Sequence, residues 1–242
     1  MEHSIWAIVP AAGIGKRMRS SKLPDMPKQY LDLNGRPVLE YTVNTLLQNE
    51  NISGLVIALQ PDDAFWPGIK INSQKPVLRT EGGKERVDSV LNAFVELFRY
   101  QGFDAEKDWV MVHDAVRCCL RTEDIDKLIT EVAGDVNGGL LAIPVRDTMK
   151  RQAAESYPAT VANTVDREYL WHALTPQYFP AATLRDALVY AQHKRLEITD
   201  ESSAMELAGH TPRLVQGHED NIKITRPDDL RLAGLYLSAQ NL

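Results

Sequence analysis

At 242 residues the chain can bury one sizeable core, and nothing in its length calls for a second domain. Its 44% hydrophobic and 25% charged content, with 14 glycines and 13 prolines, is ordinary for a globular protein and excludes disordered or fibrous architectures. A formal net charge of −6 argues against broad nucleic-acid binding, which shows as a basic excess, yet it leaves room for a local basic pocket around a small anion.

Ile5 to Val9 is a short apolar run ending at Pro10 and a glycine turn. No basic segment followed by a long apolar stretch opens the chain, so no signal peptide is expected, and no run of about eighteen apolar residues predicts a membrane span. Pro37 to Leu47 carries Val38, Leu39, Val43, Leu46 and Leu47 at helical spacing. Leu55 to Leu59 reads as a buried strand and Val77 to Arg79 as a shorter one. Val87, Val90, Leu91, Phe94, Leu97 and Phe98 then mark one face of an amphipathic helix. Val110 to Val112 is a strand that stops at His113-Asp114. The adjacent Cys118 and Cys119 suit neither a disulfide framework nor a C-x-x-C pair, so a reduced, cytoplasmic setting is expected.

Thr122 is a candidate cap for the next helix, with Glu123 and Asp124 at its positive end. Leu140 to Ile143 is a further strand. The polar stretch 146–170, with Tyr157-Pro158 and alternation around Thr160 to Val165, predicts a projecting β-hairpin arm. Helices are expected at Ala181–Gln192 and Asp200–Ala208, and a strand pair at Arg213–Val215 and Ile222–Ile224. A last helix starts from Pro227, capped by Thr225, with Asp228 and Asp229 in its first turn. The alternation predicts an α/β fold: a single domain over 1–242 built on a mostly parallel, doubly wound sheet. Ligands bind such sheets where strands end, which points to the loops after Val9, Val112 and Ile143.

Pro10-Ala11-Ala12-Gly13-Ile14-Gly15-Lys16-Arg17-Met18 lies in the first of these loops. Small residues let backbone N–H groups approach an anion, and Lys16 and Arg17 add full charges. Met18 stands where a dinucleotide fingerprint wants its third glycine, and no G-K-[ST] completes a Walker pattern, so a triphosphate site of another kind is left open. Lys28, in Pro27-Lys28-Gln29-Tyr30, is placed to converge with Arg17 on one phosphate chain. Asp114 ends a buried strand, where a carboxylate suits Mg²⁺, a ribose hydroxyl or a substrate hydroxyl, while His113 reads as structural. No second ligand at metal spacing supports zinc; Mg²⁺ held mainly by phosphate oxygens is expected instead.

Taken together, P-A-A-G-x-G-K-R-M, P-K-Q-Y, G-G-x-E-R-x-D-S-V, V-H-D-A-x-R, P-V-x-D-T, T-V-D-R, L-T-P-Q, T-D-E and D-N-I-K-I-T-R-P resemble the 2-C-methyl-D-erythritol 4-phosphate cytidylyltransferases of the non-mevalonate isoprenoid pathway, over nearly the whole chain. The resemblance implies a Rossmann-like nucleotidyltransferase that moves CMP from CTP to methylerythritol phosphate and releases pyrophosphate. It implies that Ala11, Ala12, Gly13, Gly15, Gly83, Ser89, Asp114 and Ala115 bind CTP. Arg17 and Lys28 would stabilise charge at the α-phosphate, and Arg167 and Lys223 would hold the acceptor phosphate. Asp114, Arg117, Thr148, Thr175 and Thr199 would complete the acceptor site, with Thr148 and Arg167 serving the neighbouring subunit of a homodimer. Three features depart from the family pattern: a longer loop between Arg17 and Lys28, Lys84 where aspartate is common, and Val116 and Cys118 beside Arg117. The competing readings are a cytidylyltransferase for another phosphorylated polyol or acidic sugar, a dinucleotide-binding oxidoreductase, and a non-catalytic nucleotide-binding or interaction protein.

Overall fold

The computed structural model describes residues 3–13, 26–155 and 157–240. In chain order the elements are β1 (Ile5–Pro10), a short hairpin β2 (Asp32–Leu33) and β3 (Arg36–Pro37), α1 (Val38–Gln48), β4 (Ile52–Leu59), β5 (Val77–Glu81), α2 (Arg86–Arg99), β6 (Trp109–Val112), α3 (Thr122–Val132) and β7 (Gly139–Pro144). Then come β8 (Met149–Gln152), β9 (Val161–Val165), β10 (Trp171–Pro180), α4 (Ala181–Lys194), α5 (Glu201–Leu207), β11 (Arg213–Gln216) and α6 (Pro227–Ala239).

Seven strands form one sheet in the order β11-β7-β10-β6-β1-β4-β5. All neighbours are parallel except β10, which runs antiparallel to both β6 and β7. The sheet is covered on both faces, so β1 is apolar at every step rather than alternating. Ile5, Ala7 and Val9 face the layer of α1 and α3, while Trp6 and Ile8 face that of α2, α4 and α5. The predicted stripe of α1 is wholly buried: Val38, Leu39, Val43, Leu46 and Leu47. On α2 the stripe holds at Val90, Phe94 and Leu97, but Phe98 is half exposed, tilted against Phe94, edge-on to Phe103 and under the Arg185 guanidinium. A third apolar cluster joins α6 to the β2–β3 hairpin and the buried Cys118 and Cys119. Among the described residues no helix is long and apolar enough to cross a membrane.

The 146–170 stretch forms the expected hairpin, its strands β8 and β9 pairing only with each other. Four expectations need correction. The strand β10 replaces what the sequence left unassigned before Ala181. Ile222–Ile224 is not a strand; side chains occupy the flanking carbonyls, with Arg117 on Asn221 O at 2.7 Å and Lys28 on Ile224 O at 2.8 Å. Thr122 is the first residue of α3 rather than its cap, which is Arg121. Thr225 lies before the Arg226 cap of α6, and Asp229 reaches back to accept from the N–H groups of both, each at 2.8 Å.

Candidate active site

A cleft of about 580 Å³ opens where β1, β5 and β6 end. Its floor is Ala11-Ala12-Gly13 after β1 and Asp114-Ala115-Val116 after β6. One wall is Gly83 to Arg86, and Lys28, Lys223 and Thr225 lie across from it. Two of the three loops singled out from the sheet pattern therefore form the site; the third, after Ile143, leads into the arm instead.

The floor is pinned by amides that sequence inspection passed over. Gln29 donates from Nε2 to Ala11 O at 2.6 Å, and Gln60 donates to Ala12 O. The wall depends on two glycines. A Cβ on Gly82 would stand 2.1 Å from that of Ala12, and one on Gly83 would stand 2.0 Å from that of Asp88, so the β5 loop can approach both the first loop and its own helix only without side chains. The Gly83 N–H donates to Ser89 Oγ at 3.1 Å, and Glu85 and Asp88 close a capping box on α2.

Asp114 is the electrostatic hub. Its Oδ1 meets Arg86 Nε at 3.3 Å, and its Oδ2 meets Lys223 Nζ at 2.8 Å and Arg117 Nε at 3.4 Å. Burial works against its ionisation, but Arg86, Lys223 and Arg117 outweigh that and hold the carboxyl well below the usual carboxylate range. Arg86, Asp114 and Lys223 also line a second, smaller cavity of about 190 Å³, with Arg117, Thr175, Gln177, Thr199 and Asp200. Thr175 reaches it because the register of β10 shifts between Ala173 and Gln177, a break that re-aims side chains near a site.

Beneath the hub, His113 is completely buried. Its Nε2 faces the Arg117 carbonyl at 3.1 Å, which can only accept, so Nε2 carries the proton. Nδ1 then accepts from the Thr175 hydroxyl at 2.9 Å, and that hydroxyl accepts the Asp114 N–H at 3.1 Å. Burial lowers the His113 pKa to about 4, so the ring is neutral at pH 7 and structural, as expected. Because the folded pKa lies below the ordinary histidine value of 6.5, the unfolded chain binds the proton first. The associated stability is complete above that pH and drains away as pH falls towards 4, by about 3 kcal/mol in total. In a His113→Asn variant, the loss of unfolding free energy between pH 7 and 5 should shrink by about 2 kcal/mol. Denaturant titrations at the two pH values measure it, and an undiminished slope would contradict this account.

Of the residues proposed from sequence, Ala11, Ala12, Gly13, Lys28, Gly83, Ser89, Asp114, Ala115 and Lys223 meet in the larger cleft. Arg117, Thr175 and Thr199 meet in the adjoining one. Thr148 and Arg167 are exposed on the arm and line neither cavity. Gly15 and Arg17 lie outside the described residues. Arg86, which borders both cavities, went unremarked although it sits inside G-G-x-E-R.

The family profile of 2-C-methyl-D-erythritol 4-phosphate cytidylyltransferase (IspD) matches residues 5–239. A protein of that name from Aliivibrio fischeri (strain MJ11) is 50% identical over 234 residues, covering 97% of this chain and 94% of the relative. Another from Pseudomonas entomophila (strain L48) is 48% identical over 227 residues, covering 94% and 93%. Among solved structures, a 4-diphosphocytidyl-2C-methyl-D-erythritol synthase superposes with a TM-score of 0.82 at 34% identity, over 98% of this chain and all of the other. The Francisella tularensis 2-C-methyl-D-erythritol 4-phosphate cytidylyltransferase gives 0.79 at 32%, over 97% and 100%. The chain belongs to the 2-C-methyl-D-erythritol 4-phosphate cytidylyltransferase family of nucleotidyltransferases.

Proposed function

We propose that the double cleft transfers a cytidylyl group from CTP to 2-C-methyl-D-erythritol 4-phosphate, giving 4-diphosphocytidyl-2-C-methyl-D-erythritol and pyrophosphate. The observation that carries this reading is the sharing of Arg86, Asp114 and Lys223 by a nucleotide-sized cavity and a smaller polar one, an arrangement that suits two phosphorylated substrates bound side by side. Ala11 to Gly13, Gly83 and Ser89 hold the nucleoside end of CTP, with Asp114 and Ala115 beneath it. Arg117, Thr175 and Thr199 hold the polyol.

An oxygen of the acceptor phosphate attacks the α-phosphorus, and the bond from that phosphorus to the β-phosphate oxygen breaks to release pyrophosphate. A phosphate monoester has its second pKa near ~6 and is largely dianionic at neutral pH, so no strong base is needed. A neutral, buried His113 is consistent with that. The barrier is charge: a dianion approaches a polyanion. Arg17 and Lys28 offset the charge gathering on the α-phosphate, while Lys223 and Arg167 hold the attacking oxygen in line.

The donor set fits a divalent cation carried by the nucleotide. Among the described residues no group of three or more His, Cys, Asp or Glu side chains could hold a metal, and both Asp114 oxygens already face cations. Mg²⁺ held on the triphosphate would screen its charge, and Asp114 and Glu85 are the carboxylates that line the larger cleft.

The working form is a homodimer. A two-stranded hairpin is marginal alone. This one exposes Tyr157 fully and Tyr169 at 87%, apolar surface that a second copy would cover while Thr148 and Arg167 enter its cleft. The buried, unbridged Cys118 and Cys119 suit a reducing cytoplasm.

Pyrophosphate release should require CTP, Mg²⁺ and methylerythritol phosphate together. The other nucleoside triphosphates, or other phosphorylated polyols, should support little turnover. Equal release with a pentitol phosphate would move the reading to another acceptor, and thermal stabilisation by NAD(P) but not CTP would revive the oxidoreductase.

A further inference from the structure

Arg86, the first residue of α2, spans the gap between two carboxylates. Nε faces Asp114 at 3.3 Å and Nη1 faces Glu201, the first residue of α5, at 2.5 Å. Glu201 is only 1% exposed and lines neither cavity, so no substrate touches it. Its Oε2 finds no hydrogen-bond partner among the described residues, which makes Arg86 the contact that holds its charge. Burying a carboxylate behind an arginine is costly unless something is gained from the charge itself.

The arithmetic of the cluster shows the gain. Arg86, Arg117 and Lys223 surround Asp114, and with Glu201 behind them three cations stand against two carboxylates. This ion-paired cluster therefore contributes one excess positive charge to the cleft, beside the other charged residues that line it, Lys28, Lys84, Glu85 and Asp200. Without Glu201 the excess would be two, which would hold anionic substrate and released pyrophosphate alike more tightly. Without Arg86 it would vanish, and Asp114 would draw Lys223 and Arg117 closer and turn their charge inward.

We infer that Glu201 and Arg86 together set the positive field of the substrate cleft, with Glu201 acting at a distance through Arg86 as a buried counter-charge that moderates anion affinity. This rests on the cytidylyltransferase reading of the same cleft.

A merely structural ion pair and a charge-setting one predict different signs. Loss of either member of a structural pair should weaken binding. Loss of either member of this pair should move anion affinity in opposite directions. Calorimetric titration of the full chain with inorganic pyrophosphate in Mg²⁺ buffer, and separately with uncharged cytidine, reads the difference. Glu201→Gln should bind pyrophosphate about fivefold more tightly and Arg86→Gln about fivefold more weakly, the size expected of one charge acting across a partly screened site. The double variant Arg86→Gln/Glu201→Gln should return close to the starting affinity. In Glu201→Gln, whose side chain lines neither cavity, cytidine binding should stay within about twofold, as befits a ligand that feels no net field. Pyrophosphate affinity that falls in both single variants, or moves in neither, overturns the inference. If Arg86→Gln fails to fold, Glu201→Gln alone decides: tighter pyrophosphate binding sustains the inference, and unchanged or weaker binding ends it. Failure of the unsubstituted chain to bind either ligand would instead defeat the reading of the cleft, and this inference with it.

Discussion

Replacing Lys28 by methionine is expected to lower kcat by roughly 10²-fold or more while changing the KM for CTP only modestly, the pattern of a donor whose main interaction forms in the transition state. Methionine keeps the apolar stem and removes the ammonium, so the substitution tests charge rather than packing. Lys28 sits in a tight turn spanning Lys28–Tyr30, anchored by Gln29 to the first loop. Its ammonium donates to Ile224 O at 2.8 Å, on the residue after Lys223, which ties together the two segments that bring these cations to the cleft from far apart in sequence. Positioning of that kind costs little to maintain and is available when charge develops on the α-phosphate. Steady-state kinetics with CTP and methylerythritol phosphate, alongside a melting curve to show that the variant is folded, give the answer. A folded Lys28→Met enzyme with undiminished turnover would remove Lys28 from the chemistry.

Much of this arrangement was legible in the residues, and what was not has physical reasons. The buried parallel strands and the two-faced layering follow from apolar runs and helical stripes such as Val38 to Leu47, where local pattern and tertiary burial agree. β10 escaped because its ten residues mix His172, Thr175-Pro176 and Gln177 with Tyr178 and Phe179, and it breaks register in the middle. Ile222-Lys223-Ile224 misled in the opposite direction. Its alternation reads as a strand, yet its backbone serves Lys28, while Ile224 N–H donates to Val116 O at 3.0 Å. Local rules fail there because the segment is built to deliver Lys223 to Asp114. Arg86 was invisible for another reason. An arginine opening a helix reads as solvated, and its partner Glu201 lies 115 residues away in sequence. The ordered set of motifs identified the family, but the charge balance of the site emerges only when the sheet brings the ends of β6, α2 and α5 together.

An Arg167→Ala enzyme is expected to lose activity as severely as the Lys28 variant, although Arg167 touches neither cavity of its own chain. The reason is geometric. The two legs of the arm are joined at its base, with Val145 N–H donating to Leu170 O at 2.9 Å, while β8 and β9 pair only with each other, and Thr148 and Arg167, just outside those strands, are exposed and line neither cavity of their own chain. If those residues act on substrate, they act on a second copy's. In a two-fold dimer each site then combines the body of one subunit with the arm of the other. Mixing inactive Lys28→Met and Arg167→Ala dimers should therefore regenerate activity. Each hybrid has one doubly defective site and one intact site, so free exchange should recover about one quarter of the unsubstituted activity. Labelled subunits report exchange independently of turnover. Demonstrated exchange without recovery would mean that Arg167 serves its own chain after an arm movement, or serves no site at all, and the composite site would have to be abandoned. Recovery near the expected fraction would place the arm's cation opposite Lys223 across the subunit boundary, where the attacking phosphate must be held against the repulsion of the triphosphate it approaches.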